Sequence, residues 1–383
     1  MDKKYFDFDE NLIKITEYTV LGDLPDPFLM DNGKRTVSKE DWEKRRKEIY
    51  KTTVEMQYGT IPPKPEVFRV QPLYVSEKYQ SYKIHCGTKE KQLSFLLTIF
   101  APEGVKNPPI VIDGDMCFPY PFISEYRNEF LNRNIAYATF NRCELADDIR
   151  EVGRGHGDLY EIYPDYTFGA LGAWAWGYSR AADALEEIGL FDLNYLAFTG
   201  HSRGAKTCML AGVLDERAKI VNPNDSNGGS CGCYRVHCGG IREDGKEDRN
   251  ETLDYMLEHH IGFWFGEEME KYRKCEEKLP FDCHFLKALV APRILLVGEA
   301  ASDLNTNLIG SWHTSIAAKE VYKFLGCEDN LKWYFRKGFH YHRPEDAAML
   351  ANLICSLQGK EELYPYYYKT PFKPVPKIWD WEI

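Results

Sequence analysis

No stretch of the 383-residue sequence approaches the roughly 18 consecutive apolar residues that a membrane-spanning helix needs. An excess of basic residues is also missing, because 59 acidic residues outnumber 48 basic ones and the net charge is −11. A negative field of this kind repels nucleic acid and anionic membrane surfaces. We therefore expect neither a membrane nor a nucleic acid as partner.

Cofactor signatures are missing too. The sequence has no glycine-rich phosphate loop, no dinucleotide fingerprint and no internal repeat. One run of possible metal ligands, C-x-C-x3-H-C, is too compact, because zinc sites usually use separated pairs such as C-x2-C. Its members are Cys231, Cys233, His237 and Cys238. We expect no cofactor and no metal site.

The first residues show no apolar segment followed by a small-residue cleavage site, which is the pattern of a secretory leader. The 11 cysteines are then expected to be reduced thiols, as in a cytoplasm. The sequence thus predicts a cytoplasmic protein. A chain from which a leader had been trimmed would instead be secreted.

Hydrophobic residues make up 44% of the chain, which is enough for a large core. Apolar and β-branched runs alternate with helical patterns, and this alternation predicts a doubly wound, mostly parallel sheet in a three-layer αβα sandwich, the α/β-hydrolase fold. We expect one catalytic domain over 1–383, with an N-terminal arm at 1–60 and an insertion at 226–280 as pocket wall or lid. The predicted strands are 66–75, 82–100 (turning at 87–90), 108–112, 135–141, 195–199, 219–223, 292–298 and 331–336.

The pentapeptide Gly200-His201-Ser202-Arg203-Gly204 is a complete G-x-S-x-G. It follows a run suited to a buried strand and precedes a helical run rich in small residues. Strand, tight turn and helix form the context of a nucleophile elbow, in which the serine stands exposed above the sheet. The sequence therefore predicts Ser202 as a nucleophile and the N–H of Arg203 as a donor to the oxyanion.

A serine nucleophile needs a histidine base, and the base needs an acid. His340 follows the last predicted strand and is the preferred base, with His342 as its rival. Two carboxylates follow strands at the same edge of the sheet, Asp225 and Asp303. Asp303 holds the usual position for this fold, but the residue pattern leaves both open.

These residues resemble the glucuronoyl esterases, carbohydrate esterase family 15, which cleave esters between 4-O-methyl-glucuronic acid of xylan and lignin alcohols. The most specific match is Gly200-His201-Ser202-Arg203-Gly204-Ala205-Lys206, which is similar to the family's G-C-S-R-x-G-K. Similar core motifs are Gly172-Ala173-Trp174-Ala175-Trp176-Gly177, Leu279-Pro280-Phe281-Asp282 and Asn224-Asp225-Ser226, the last running on to Cys233-Tyr234-Arg235. The resemblance covers most of the chain.

The resemblance implies a role for each matched residue. Ser202 is the nucleophile, the guanidinium of Arg203 helps to hold the oxyanion, and Lys206 meets sugar hydroxyls. Asp225 falls on the family's catalytic glutamate, so the resemblance favours it over Asp303, which stays the alternative because some bacterial relatives use that position.

A carboxylate that meets sugar hydroxyls falls within 251–258 by the same resemblance, and Glu258 is the predicted residue. The chain also departs from the family in two places. His201 replaces the elbow cysteine, so the family's disulfide to the Cys233 position cannot form. Asn305 stands where the family has a tryptophan against the sugar.

The sequence therefore predicts a serine carboxylic-ester hydrolase that acts on glucuronate esters of xylan-derived saccharides. One alternative is an esterase that removes acetyl groups from xylo-oligosaccharides. The other is a catalytically silent carbohydrate-binding relative.

Overall fold

The computed structural model describes residues 1–382, without the side chain of His260. Its strands are β1 Lys14–Val20, β2 Val67–Val75, β3 Tyr79–Gly87, β4 Gln92–Phe100, β5 Pro109–Asp113, β6 Ala136–Phe140, β7 Asp192–His201, β8 Ile220–Asn224, β9 Val236–Ile241, β10 Glu247–Arg249, β11 Ile294–Ala300 and β12 Leu331–Arg336. Its helices are α1 Lys39–Tyr50, α2 Met56–Tyr58, α3 Ser124–Leu131, α4 Asp158–Ile162, α5 Ala170–Ile188, α6 Arg203–Leu214, α7 Leu253–Met256, α8 Cys283–Val290, α9 Leu308–Phe324 and α10 Pro344–Leu357.

Nine of the strands form one sheet in the order β12-β11-β8-β7-β5-β6-β4-β3-β2. The pairs from β12 to β6 are parallel, and those from β6 through β4 and β3 to β2 are antiparallel. The strand pairing confirms the predicted mostly parallel sheet. The antiparallel edge comes from the predicted meander, whose short turns leave no room for crossover helices.

The two faces of this sheet bury different helices, because successive side chains of a strand point to opposite sides. Val111 and Tyr137 pack in one apolar cluster with side chains of α3 and α10. Ile112 and Ala138 pack on the other face with side chains of α5, α6, α8 and α9. Since helices cover both faces, the structure has the predicted three layers.

A second, three-stranded sheet joins β1 of the N-terminal arm to β9 and β10 of the 226–280 insertion. Lys14 pairs with Ile241 across this sheet. None of these three strands was predicted from the sequence. β1 pairs with β9 across more than 200 residues, beyond any local pattern, and β10 has only three residues.

In the part of the chain that the structure describes, no helix is both long and apolar enough to cross a membrane.

Candidate active site

The predicted elbow lies between the last residue of β7 and the first of α6. Ser202 has φ 59° and ψ −119°, a conformation that side chains other than glycine rarely adopt. Its N–H donates to the carbonyl oxygen of Asn224 at 3.0 Å. This strained turn lifts the hydroxyl above the carboxyl edge of the sheet, as the G-x-S-x-G pattern predicts.

Glycine is needed on both sides of the serine because the turn is closely packed. A Cβ on Gly200 would overlap the carbonyl of Gly204, and one on Gly204 would overlap the carboxylate of Asp115. Both flanking positions therefore exclude side chains for a steric reason.

Ser202 is hydrogen-bonded to His340, with 2.8 Å between Oγ and Nε2. Nδ1 of His340 lies 2.5 Å from Oδ2 of Asp303. Serine, imidazole and carboxylate thus form one chain of hydrogen bonds. The rival His342 is buried beneath the site, where its Nε2 lies 3.5 Å from the hydroxyl of Tyr126.

Asp225 does not make the contact that the resemblance implied. One of its carboxylate oxygens accepts from the N–H of Ala300, and the other accepts from Nη2 of Arg336 at 2.8 Å. Nε2 of His201 lies 3.3 Å from the same second oxygen. The structure thus corrects the expected pairing: Asp303, the alternative, meets His340, because Asp225 is turned toward Arg336.

Four strand ends supply these groups. Ser202 follows β7, Asp225 follows β8, Asp303 follows β11 and His340 follows β12. Neighbouring parallel strands end at the same edge of a sheet, so their following loops converge. This order explains why either carboxylate was a reasonable candidate from the sequence.

The surroundings of His340 set its protonation. Burial lowers the pKa of this imidazole, but the hydrogen bond and charge of Asp303, with the charges of Asp225 and Glu251, raise the pKa above its ordinary value overall. Burial raises the pKa of the Asp303 carboxyl, and the hydrogen bond from His340 opposes that rise. The pair is arranged to hold a proton on the imidazole once it has been accepted.

Arg203 is held over the site by Asp148. Its Nη1 donates to Oδ2 of Asp148 at 2.9 Å, and its guanidinium lies 4.8 Å from the ring centre of Trp264. The indole N–H of Trp264 donates to the other oxygen of Asp148 at 3.1 Å. The backbone N–H of Arg203 is the first of α6, so it has no acceptor within the helix. Side chain and backbone can both face a developing oxyanion.

The loop after β5 supports this arrangement from below. Asp115 is completely buried, accepts from the backbone N–H of His201 at 3.0 Å and forms an ion pair with Arg142. Arg142 in turn lies 3.5 Å from Asp148. No motif in the sequence singled out Asp115, Arg142 or Asp148. The only sequence signal was for Asp115, which belongs to an acidic loop directly after a buried strand.

A cavity of about 160 Å³ opens beside Ser202. Its walls come from the elbow, the triad loops and the 226–280 insertion. They are lined by Arg150, Ser202, Arg203, Lys206, Asp225, Asn227, Glu251, Tyr255, His259, Ile261, Trp264, Asn305, Thr306 and His340. Several hydrogen-bonding groups and few apolar ones face this space, so it suits a polar ligand such as a sugar.

Lys206 lies in the cavity wall as predicted. It is almost completely buried, and its Nζ donates to the hydroxyl of Ser226 at 3.3 Å. Burial lowers its pKa, while the charge of Glu251 is the largest influence opposing that shift.

Glu258, the predicted sugar-binding carboxylate, does not line the cavity: it is exposed and lies 3.8 Å from Arg273. Glu251, seven residues earlier in the chain, lines the cavity instead.

The possible metal ligands diverge. His237 pairs with Glu276 at 2.5 Å, Cys238 donates to Asn307 and Cys233 donates to Asp282. No group of three or more His, Cys, Asp or Glu side chains able to hold a metal occurs among the described residues.

Comparisons with known proteins agree with this geometry. Residues 84–326 match the family described as glucuronyl esterase, fungi. The chain is 30% identical over 320 residues to a 4-O-methyl-glucuronoyl methylesterase of Podospora anserina, covering 81% of this chain but only 62% of that enzyme's length. It is 30% identical over 345 residues to a 4-O-methyl-glucuronoyl methylesterase of Hypocrea jecorina, covering 88% of this chain and 69% of that enzyme.

Solved structures are similar over nearly the whole chain. A carbohydrate esterase family 15 glucuronoyl esterase from Caldicellulosiruptor kristjansonii superposes with a TM-score of 0.83 at 29% identity, covering 94% of this chain and 96% of that one. A mutant glucuronoyl esterase from Sporotrichum thermophile, in complex with methyl 4-O-methyl-beta-D-glucopyranuronate, superposes with a TM-score of 0.72 at 26% identity, covering 93% and 92%. The predicted α/β-hydrolase fold is thereby confirmed.

The raised pKa of His340 predicts the acid limit of activity. Protonated imidazole cannot accept the serine proton, so kcat/KM should fall as the pH drops through a value above about 6.5, the ordinary pKa of histidine. Asp303→Asn should lower kcat by on the order of 10³–10⁴ and move this limit to lower pH. A pH profile of both proteins tests this. An acid limit at or below the ordinary value in the wild type would contradict it.

The ion pair of Arg203 predicts a second effect. Asp148→Asn should lower kcat by about tenfold and leave KM nearly unchanged, because a loosely held guanidinium helps the oxyanion less than a fixed one. Asp147→Asn is the matched control, since the neighbouring carboxylate has no side-chain hydrogen bond within the described residues. Equal losses in the two variants would show that Asp148 does not act through Arg203.

Proposed function

The chain belongs to the glucuronoyl esterase family, and from that premise we propose that it is a serine carboxylic-ester hydrolase acting on esters of glucuronic acid. The observation that supports this most directly is the hydrogen-bonded chain of Ser202, His340 and Asp303, which opens into a polar cavity. The complexed relative from Sporotrichum thermophile holds a methyl glucuronate ester.

The geometry supports a two-step acyl transfer. Ser202 attacks the ester carbonyl while Nε2 of His340 accepts the hydroxyl proton. Asp303 holds the imidazole by Nδ1, so the nitrogen facing the serine is the one free to accept. The resulting imidazolium donates its proton to the departing alcohol, and water then releases the glucuronate by the reverse sequence.

Arg203 stabilises the tetrahedral intermediate. Its guanidinium faces the reaction centre beside the N-terminus of α6, where backbone N–H groups have no helical acceptor. Asp148 fixes this group before substrate arrives, so little reorganisation is needed when negative charge develops on the oxygen.

The cavity wall supplies the uronate site. Lys206 offers a buried ammonium, Glu251 a carboxylate and Asn305 a side-chain amide. Such paired donors and acceptors suit the hydroxyls of a sugar ring. The ligand is therefore a glucuronate-bearing oligosaccharide in this proposal.

We also propose that the protein works in a reducing compartment such as the cytoplasm, on short imported oligosaccharides. All 11 cysteines have free thiols. Thiol counting in denaturant without reductant should find every one of them, and any missing pair would contradict the proposal.

The activity predicts a large effect at the nucleophile. Wild-type protein should hydrolyse benzyl or methyl glucuronate, and Ser202→Ala should lower kcat by on the order of 10⁴–10⁶. Hydrolysis of an acetyl ester by the same preparations separates glucuronate specificity from general esterase activity. Equal rates for wild type and variant on glucuronate esters would refute the assignment.

The uronate site predicts a difference between two glutamates. Glu251→Gln should raise KM for a glucuronate ester about tenfold, because a charged hydrogen-bond acceptor in the cavity is lost. Glu258→Gln is the matched control and should change nothing, since this side chain lies outside the cavity. The reverse pattern would restore Glu258 as the sugar ligand.

A further inference from the structure

Beneath the loop that carries His340 lies a completely buried arginine, Arg336, the last residue of β12. Its Nε lies 2.7 and 2.9 Å from the two carboxylate oxygens of Asp346, in the first turn of α10. Its Nη2 donates to Asp225 at 2.8 Å. One guanidinium therefore joins the ends of β8 and β12 to the start of α10.

The same guanidinium reaches the backbone on both sides of the base. Nη2 donates to the carbonyl oxygen of Tyr341, and Nη1 lies 3.5 Å from that of Phe339. These residues flank His340 directly. The arginine thus fixes the backbone on either side of the imidazole-bearing residue.

The loop also has contacts outside the arginine: the N–H of Lys337 donates to the carbonyl oxygen of Tyr5 at 2.7 Å, and the carbonyl oxygen of Gly338 accepts from the N–H of Ser302 at 3.0 Å. Residues 337–343 nevertheless form no helix or strand, and Gly338 has φ 110°, a backbone conformation that favours glycine. The side chain of His340 is 42% exposed, so packing alone does not fix its ring. A 1 Å shift of the imidazole would weaken its hydrogen bonds to Ser202 and Asp303 together.

Asp225 completes the arrangement. Both of its oxygens are engaged, by the N–H of Ala300 and by Arg336, and its second oxygen lies near His201. The His201 ring lies 4.6 Å from the His340 ring, between centres. Burial alone would raise the pKa of the Asp225 carboxyl, but the charge of Arg336 and the nearby imidazole of His201 hold it well below its usual range. The Asp225 carboxylate is therefore ionised, and its charge is opposite to that of Arg336.

We propose that Arg336 is a positioning residue that holds the catalytic histidine in register with Ser202, and that Asp225 serves the reaction through Arg336 and His201 rather than as the acid of the triad. This proposal rests on the proposed function only for the choice of substrate. It assigns a role to the second carboxylate at the edge of the sheet, which the triad itself does not use.

The test compares Arg336→Lys, Asp225→Asn and Asp303→Asn. Lysine keeps the charge but cannot bridge Asp346, Asp225 and the two carbonyls at once. Arg336→Lys should lower kcat about 10²-fold, the cost expected of a 1 Å misplacement, with KM nearly unchanged. Asp225→Asn should lower kcat about tenfold, and Asp303→Asn by on the order of 10³ or more.

Arg235→Lys is the matched control for burial. This arginine is also buried and also joins a carboxylate, Asp282, to backbone carbonyls, among them that of Phe281. Both lysine variants should lower the melting temperature, but only Arg336→Lys should lower kcat at temperatures where both are folded.

Labelling of Ser202 by a fluorophosphonate gives a readout independent of the sugar. Its rate should fall in parallel with kcat in Arg336→Lys and Asp225→Asn. Rapid labelling of a wild type that leaves glucuronate esters intact would refute the proposed substrate. The labelling rates of the variants would still test whether Arg336 positions His340.

Two results would overturn the positioning role. One is an equal loss of kcat and labelling in Arg336→Lys and Arg235→Lys, which would make Arg336 a support of the fold alone. The other is a loss of 10³-fold or more in Asp225→Asn with Asp303→Asn near wild type, which would make Asp225 the acid. If Arg336→Lys does not fold, the losses of kcat and labelling rate in Asp225→Asn and Asp303→Asn are compared instead, and they test the proposal in the same way.

Discussion

The active site depends on one contact, the hydrogen bond that the buried carboxylate of Asp115 accepts from the backbone N–H of His201. Ser202 occupies a strained backbone conformation, and such strain persists only where surrounding contacts hold it. Asp115 provides one of these contacts by accepting the N–H of His201 on the near side of the turn. It also fills the space that a side chain on Gly204 would need. Because Asp115 belongs to the loop after β5, the elbow is tied to the neighbouring strand rather than to its own helix alone.

From Asp115 a line of alternating charges leads to the reaction centre. Arg142 neutralises Asp115, Asp148 lies beside Arg142, and Arg203 pairs with Asp148 at the surface of the cavity. Buried charges are costly unless each is paired, so the members of such a line hold one another in place. The Arg203 guanidinium is therefore oriented by residues that do not line the cavity. Its last neighbour, Trp264, comes from the 226–280 insertion, so the insertion shapes the reaction centre as well as the cavity wall.

Two carboxylates, Asp225 and Asp303, lie at the same edge of the sheet, and they contact different side chains. Asp303 touches the imidazole, whereas Asp225 is occupied by Arg336 and the N–H of Ala300. A carboxylate that already carries a buried guanidinium has little basicity left to offer a histidine. His201 lies between Asp225 and His340 and gives this elbow a side chain that can contact both.

Much of this protein follows from local patterns in the sequence. The order of strands and helices, the turn at Ser202 and the base His340 depend on a few adjacent residues, because backbone geometry at a strand end is set by nearby glycines and apolar runs. The tertiary structure decided the rest. Asp225 and Asp303 each follow a strand at one edge of the sheet, and Glu251 and Glu258 lie on one short segment, so sequence position does not separate either pair. Which carboxylate of each pair reaches the site depends on how loops from distant strands pack and on where buried partners such as Arg336 turn a side chain. Asp115, Arg142 and Asp148 became visible only in three dimensions, since their roles arise from pairing across segments that the sequence keeps apart.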